Sequence, residues 1–341
     1  MRHAPSGTLP TRALGTTGME ITHVGFGAWA LGGGGWVAGW GPQDDAESVA
    51  AIRHAVESGV NWIDTAAIYG LGHSEEVVAQ AIAGFAEVDR PYVFTKCGVH
   101  PDPRDPMLPN LWLGAPERLR REVEDSLRRL SVERIDLYQM HWPPRDGTPV
   151  EAYWGTLLEL VEEGKVAAVG LSNHGVDLLE EAEAVRHVAT LQPPFSLIRR
   201  QAAADELPWC QAHRTGVIVY SPMQSGLLTG RWDADRVAAL AEDDWRRRNP
   251  EFQPPRIEAN LALAAALRPV AERHGATVAA VAVAWVLAFP AVTGAIVGAR
   301  RAAQVDGWIG AATLELSTED LDVIAAAVAR TGAGGGPVTP G

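Results

Sequence analysis

Cysteine is almost absent. Cys97 and Cys210 are the only two in 341 residues. They lie far apart, without the close spacing of metal sites, which excludes a disulfide framework and suits a reducing compartment. Positive charge is scarce as well: 29 Lys and Arg against 42 Asp and Glu leave a net charge of -13. That balance argues against nucleic acid or an anionic membrane as a partner, although a few local cations suffice for a phosphorylated cofactor. No apolar run is long enough to span a bilayer; the longest, 277–290, reads as a buried helix. Residues 1–7 lack the apolar core of a signal peptide, so the expected location is the cytoplasm. Also missing is a Gly-x-Gly-x-x-Gly turn opening a βαβ unit. Gly32-Gly33-Gly34-Gly35 follows a strand but leads to Trp36 and Trp40 rather than a helix, and reads as a mobile loop.

What is present is a large apolar fraction, 47%, and a regular alternation of strand-like and helix-like segments. Strands are expected at 23–29, 61–65, 92–96, 135–141, 167–172, 189–192, 217–220 and 294–298. Helices are expected after them at 44–58, 74–85, 116–130, 150–163, 176–187, 205–213, 260–274 and 301–311. Alternation of this kind means parallel strands with right-handed crossovers, and eight units close into a barrel. The expected fold is therefore α/β, a (β/α)8 TIM barrel. A hairpin at 12–22 would plug its amino-terminal end, and extra helices are expected at 277–289 and 318–329. No linker divides the chain, so residues 1–341 read as one domain with flexible tails at about 1–8 and 331–341.

Four polar residues sit where strand-like runs end: Asp64, Tyr69, Lys96 and His141. In a parallel barrel the carboxyl ends of the strands converge on one face, where the chemistry is done. Lysine at the end of an apolar strand needs a partner, and Asp64 on the preceding strand is the natural one. A structural ion pair, a packed tyrosine and a core histidine would account for them one at a time. Together they suit carbonyl reduction, which needs a proton donor beside a hydride donor. A cation about 4 Å from a phenol, at an effective dielectric near 20, favours phenolate by about 4 kcal/mol, roughly three pKa units. Burial opposes this, so a smaller net lowering of the Tyr69 pKa is expected. Lys96 would be that cation, Asp64 would hold it charged, and His141 would orient the carbonyl.

Asp64-Thr65-Ala66, Tyr69-Gly70, His73-Ser74-Glu75, Lys96 and His141 together resemble the aldo-keto reductase signature, most closely that of bacterial members with Tyr-Gly-x-Gly-x-Ser-Glu. The resemblance extends over nearly the whole chain. It implies an enzyme that reduces an aldehyde or ketone reversibly, with Tyr69 as general acid/base, Lys96 its activator, Asp64 the partner of Lys96 and His141 the orienter. It implies NADPH/NADP+ as cofactor, bound without a Rossmann fold on the later strands. By position, Ser172, Asn173 and Gln192 would bind the nicotinamide carboxamide and Tyr220 would stack on the ring. Ser221, Pro222, Ser225 and Leu227 would wrap the pyrophosphate, and Gly27 and Trp29 would also bind the cofactor. Gly298, Arg300 and Gln304 would hold the adenosine 2′-phosphate. The acidic-Asn pair usual for adenine is Gly307-Trp308 here.

Tryptophan is abundant, at twelve residues. Trp29, Trp36, Trp112 and Trp142, with Trp40 nearby, fall in loops at the expected active face and would form an apolar, stacking pocket for a small carbonyl or alcohol substrate. The loop at 231–256 would fold over the cofactor as a lid. Two other readings stand beside reduction: a Schiff-base lyase using Lys96, and a non-catalytic NADPH-binding regulatory module.

Overall fold

The computed structural model describes residues 9–242 and 244–340. Strands β1 (Thr11–Ala13) and β2 (Glu20–Thr22) form the expected antiparallel hairpin. The barrel begins with β3 (Val24–Gly27), followed by helix α1 (Asp45–Glu57), then β4 (Trp62–Asp64) and α2 (His73–Ile82), then β5 (Tyr92–Cys97). A small hairpin, β6 (Val99–His100) with β7 (Leu111–Trp112), precedes α3 (Pro116–Leu130). Next come β8 (Ile135–Met140), α4 (Val150–Glu162), β9 (Val166–Ser172), α5 (Val176–Val185), β10 (Thr190–Gln192), α6 (Glu206–His213) and β11 (Gly216–Tyr220). After β11 lie the short α7 (Ala234–Ala238), then α8 (Arg256–Ala266), α9 (Arg268–Arg273) and α10 (Val278–Leu287). The chain ends with β12 (Val292–Gly298), α11 (Ala302–Val305) and α12 (Thr318–Thr331).

Eight parallel strands close in the order β10-β11-β12-β3-β4-β5-β8-β9, the barrel expected from the alternation. Local signals set the boundaries. Asp44 caps α1 by accepting the Glu47 N–H at 2.8 Å, and Ser317 with Asp320 forms a capping box on α12. The expected helix at 260–274 starts earlier and divides at Leu267, just before Pro269. The apolar run becomes α10, buried along its whole length. No single helix among the described residues is long and apolar enough to cross a membrane.

Residues two apart on a strand face the same way. Trp62, Phe94, Leu137, Ile218 and Ile296 thus form one apolar layer inside the barrel, onto which the hairpin side chains Leu14, Met19 and Ile21 pack. Trp62 also donates its indole N–H to Thr22 O at 2.8 Å, tying barrel to hairpin. Two residues further along the same strands come Asp64, Lys96, Gln139, Tyr220 and Gly298. The core therefore changes from apolar to polar in one step toward the carboxyl face.

Two loop expectations are corrected. The glycine run is not a free loop at its start: Trp29–Gly32 is a 3-10 turn packed on a second turn, Tyr69–Gly72. A Cβ on Gly70 would lie 2.2 Å from Gly32 O, so glycine is needed for the close approach. The tail after α12 also docks. Ala333 is buried, and Arg200 donates to Gly336 O at 3.0 Å and to Ala333 O at 3.1 Å. Residues 1–8, the other expected tail, lie outside the described residues.

Candidate active site

The expected ion pair forms. Lys96 Nζ donates to Asp64 Oδ1 at 2.5 Å and to Thr65 O at 2.8 Å, and both side chains are buried. Lys96 also stands 5.2 Å from the centre of the Tyr69 ring. The His141 ring meets the Tyr69 ring edge-on, with centroids 5.7 Å apart. The four residues expected to act together are therefore neighbours at the carboxyl ends of β4, β5 and β8.

Their protonation states follow from burial. His141 is pushed well below the usual imidazole range, first by burial and then by the Lys96 charge, so it is neutral. The Tyr69 phenol is raised well above its ordinary value by burial, then by Asp64 and Tyr220. This reverses the expected lowering. Burial is the main cause, and the Asp64 carboxylate 2.5 Å from Lys96 opposes that cation's effect at Tyr69. Burial also raises Asp64 and lowers Lys96, and each partner opposes the shift of the other.

The His73-Ser74-Glu75 stretch turns out to be a clamp. Ser74 Oγ donates to Ala28 O at 2.9 Å and meets Thr65 Oγ1 at the same distance. Buried Glu75 accepts from Thr95 Oγ1 and from Arg129 Nε, each at 2.6 Å. These contacts fix the strand ends that carry Asp64 and Lys96.

A cleft runs from Asp64 and Tyr69 across the later strands. It is lined by most residues expected at a cofactor: Gly27, Trp29, Gln192, Tyr220, Ser221, Pro222, Ser225, Gly298, Arg300 and Gln304. Three expected members do not line it. Ser172 is buried and donates to Gln192 O at 2.9 Å. Asn173 faces an adjoining groove, accepting from Tyr220 Oη at 2.8 Å and donating to His141 O at 2.9 Å. Leu227 is fully buried in the core, where it anchors the turn after β11 from below. In that turn Ser221, Gln224, Ser225 and Gly226 all have positive φ. Such geometry persists only where surrounding contacts hold it. Arg300 is clasped from outside: its Nε donates to Gln43 Oε1 at 2.5 Å and its guanidinium also meets Pro42 O. Trp308 is almost fully buried at the edge of the cleft.

Of the arginines in the expected lid loop, Arg246 belongs to the Arg246-Arg247-Arg248 run that stands out in the sequence, whereas Arg231 and Arg236 do not, yet all three line the same cleft. They come from the lid segment, which crosses to the first barrel loop. Trp245 lies 5.0 Å from Trp29 and 5.7 Å from Trp40, ring centre to ring centre. Arg246, paired with Asp244 at 2.5 Å, stacks over Trp40 at 4.6 Å and over Trp232 at 5.1 Å. The only hint in the sequence was the density of Arg and Trp in that loop.

The tryptophans expected to line a substrate pocket come together. Trp29, Trp36, Trp112 and Trp142 gather with Tyr69, Ala66, Ile68 and Val99 in one cluster. Trp112 and Trp142 stack at 4.7 Å, and the Arg145 guanidinium covers Trp112 at 3.6 Å. An acid, a neutral imidazole and an ammonium–carboxylate pair thus face an apolar wall on one side and a cation-lined cleft on the other.

Residues 23–329 match the model of the Aldo/keto reductase family. The chain is 34% identical over 310 residues to the aldo-keto reductase YhdN of Bacillus subtilis, covering 90% of each. It is 32% identical over 325 residues to an NADH-specific methylglyoxal reductase of Escherichia coli, covering 91% of this chain and 96% of that one. The structure of a glycerol dehydrogenase from Gluconobacter oxydans superposes with a TM-score of 0.85 at 37% identity, covering 97% of this chain and 98% of that one.

Proposed function

The chain belongs to the aldo/keto reductase family, oxidoreductases of carbonyl and alcohol groups that use nicotinamide cofactors, and we propose that it is an NADPH-dependent reductase of an aldehyde or ketone with Tyr69 as general acid/base. One observation carries this reading: Tyr69 is a neighbour of both the Lys96–Asp64 pair and His141, and lines the cleft. Reduction adds a hydride to carbon and a proton to oxygen. The dihydronicotinamide, when bound, supplies the hydride. Tyr69, protonated because burial holds its pKa high, gives its proton to the carbonyl oxygen. The phenolate left behind faces Lys96, whose charge then counts most. Neutral His141 donates a hydrogen bond to the same oxygen and orients it. The tryptophan wall holds the substrate and keeps water out.

The cleft suits such a cofactor. In a chain of net charge -13, Arg231, Arg236, Arg246 and Arg300 converge on it, and phosphates are the groups that a cluster of guanidiniums recognises. A Cβ on Gly27 would lie 2.8 Å from Ile296 Cγ2, so the wall there has no room for a larger residue. Arg300 at the far end favours NADPH over NADH. The Schiff-base reading has less support, because Lys96 already donates to Asp64 and Thr65 O and such a lysine must be neutral to attack. The non-catalytic reading leaves the assembled acid, imidazole and ion pair without a task.

The test is consumption of NADPH, followed by absorbance, across a panel of aldehydes, ketones and alcohols. Turnover is expected, and Tyr69→Phe should lose about 100-fold or more in kcat while binding cofactor normally. Full turnover by Tyr69→Phe, or none by the wild type on any carbonyl, overturns the reading.

A further inference from the structure

Asp64 has two carboxylate oxygens, and Lys96 takes only Oδ1. The other, Oδ2, accepts from Gln192 Nε2 at 2.9 Å. The same Nε2 reaches Gln139 Oε1 at 3.3 Å. Gln139 is fully buried inside the barrel, in register with Lys96 on β5 and one strand away. Its own Nε2 has no partner at full hydrogen-bond geometry. A buried amide with an unmet donor is costly in a barrel interior. Leucine or methionine would pack there without that cost.

We propose that Gln139 is a positioning residue whose amide, with that of Gln192, holds the Asp64 carboxylate ionised and aimed so that Lys96 stays charged beside Tyr69. It does so by fixing the Gln192 amide and by placing its own Nε2 toward Asp64. Its oxygen accepts from Gln192 while its nitrogen is a donor, so one buried side chain can serve both tasks in a single orientation. Both glutamines help to hold Asp64 toward its charged form against burial. Other charges reach the pair. Glu75 on α2 favours charged Lys96, the Lys96 charge disfavours protonation of His141 after β8, and Tyr220 opposes ionisation of Tyr69. None of these hydrogen-bonds Asp64. This inference rests on the reductase reading above.

The experiment compares full-length wild type, Gln139→Leu and Gln139→Glu. It reads kcat and cofactor Kd against pH, and the 13C carboxyl resonance of Asp64, assigned with Asp64→Asn. For Gln139→Leu, kcat falls about tenfold and the acid limb of kcat moves up by roughly one to two pH units, as the amide that fixes Gln192 and faces Asp64 is removed. The Asp64 carboxyl titrates higher by the same amount, and cofactor Kd stays within about twofold. Gln139→Glu behaves differently: protonated it donates like the amide, and ionised it repels Asp64. Its activity is therefore retained at low pH and falls as pH rises. Wild-type kcat and Asp64 titration in Gln139→Leu overturn the proposal, as does a loss of kcat with that titration unmoved. If Gln139→Leu does not fold, the slope of Gln139→Glu decides. If the wild type turns over no carbonyl, the reductase reading fails by itself, and the Asp64 titration still decides on Gln139.

Discussion

Lys96 Nζ lies 2.5 Å from Asp64 Oδ1 in the polar layer of the barrel, and both side chains are buried. Each ion therefore depends on the other. Lys96→Met leaves a buried carboxylate unpaired and should lower stability by about 3–5 kcal/mol, with kcat down about 100-fold or more. The double variant Lys96→Met with Asp64→Asn should regain most of the stability and none of the activity. Urea unfolding and steady-state kinetics check both, and a double variant no more stable than Lys96→Met contradicts the coupling.

The protonation states predict a flat pH profile for reduction. His141 is held well below the usual imidazole value, so it does not change charge in the working range. Tyr69 is held well above its ordinary value of 10.0, so the acid keeps its proton. A group that must be protonated loses activity only as pH rises through its pKa. We expect kcat/KM for reduction to stay level from about pH 6 to 9 and to fall only above that. An inflection near pH 6.5 that disappears in His141→Gln would contradict the assignment.

Arg300 should discriminate between the two nicotinamide cofactors. Arg300→Ala is expected to weaken NADPH about tenfold or more, the loss of a charge-assisted contact, and NADH by less than about twofold. Equal losses for both, measured by fluorescence titration, would place the 2′-phosphate elsewhere.

The segment 231–256, expected to act as a lid, is held by aromatic contacts to the first barrel loop, with Trp245 5.0 Å from Trp29. Removing that ring with Trp245→Ala should raise the NADPH dissociation rate about five- to tenfold, the effect of roughly 1 kcal/mol of aromatic packing. Stopped-flow displacement measures it, and an unchanged rate would mean that the lid does not control release.

Asp320 tests the capping box in α12. It accepts from Ser317, Arg273 and His274, and these contacts hold its carboxyl well below the usual range. A depressed carboxyl contributes stability above its unfolded pKa, and that stability is lost as pH falls through the folded value. Asp320→Asn should cost about 1 kcal/mol at pH 7 and progressively less below about pH 4. A cost that persists unchanged in acid, read from thermal melts at each pH, would assign the effect to packing.

Much of the site could be read along the chain. Strand ends marked Asp64, Lys96 and His141, because an apolar run that stops at a charge is a local pattern. Gln139 could have been read by the same rule, since it lies two residues after Leu137 on one strand face; it was hidden by being uncharged. The lid arginines showed only as a local density of charge, and the docked tail had no local signal. Arg300 meets Gln43 257 residues away along the chain, and Arg200 meets Gly336 across 136.

The sequence by itself determined the alternation of strands and helices, the closure into a barrel, and which strand ends carry polar groups. Those follow from side-chain period and chain direction, which are local. Only the tertiary structure decided that burial, with Asp64 set against the charge of Lys96, holds Tyr69 protonated, and that Ser172 and Leu227 turn away from the cleft. It also decided that Arg231, Arg236 and Arg246 turn toward the cleft. Those depend on how far apart charges and side chains lie once the barrel closes. Electrostatic energies fall with that distance and grow with burial, and neither quantity exists until distant parts of the chain have met.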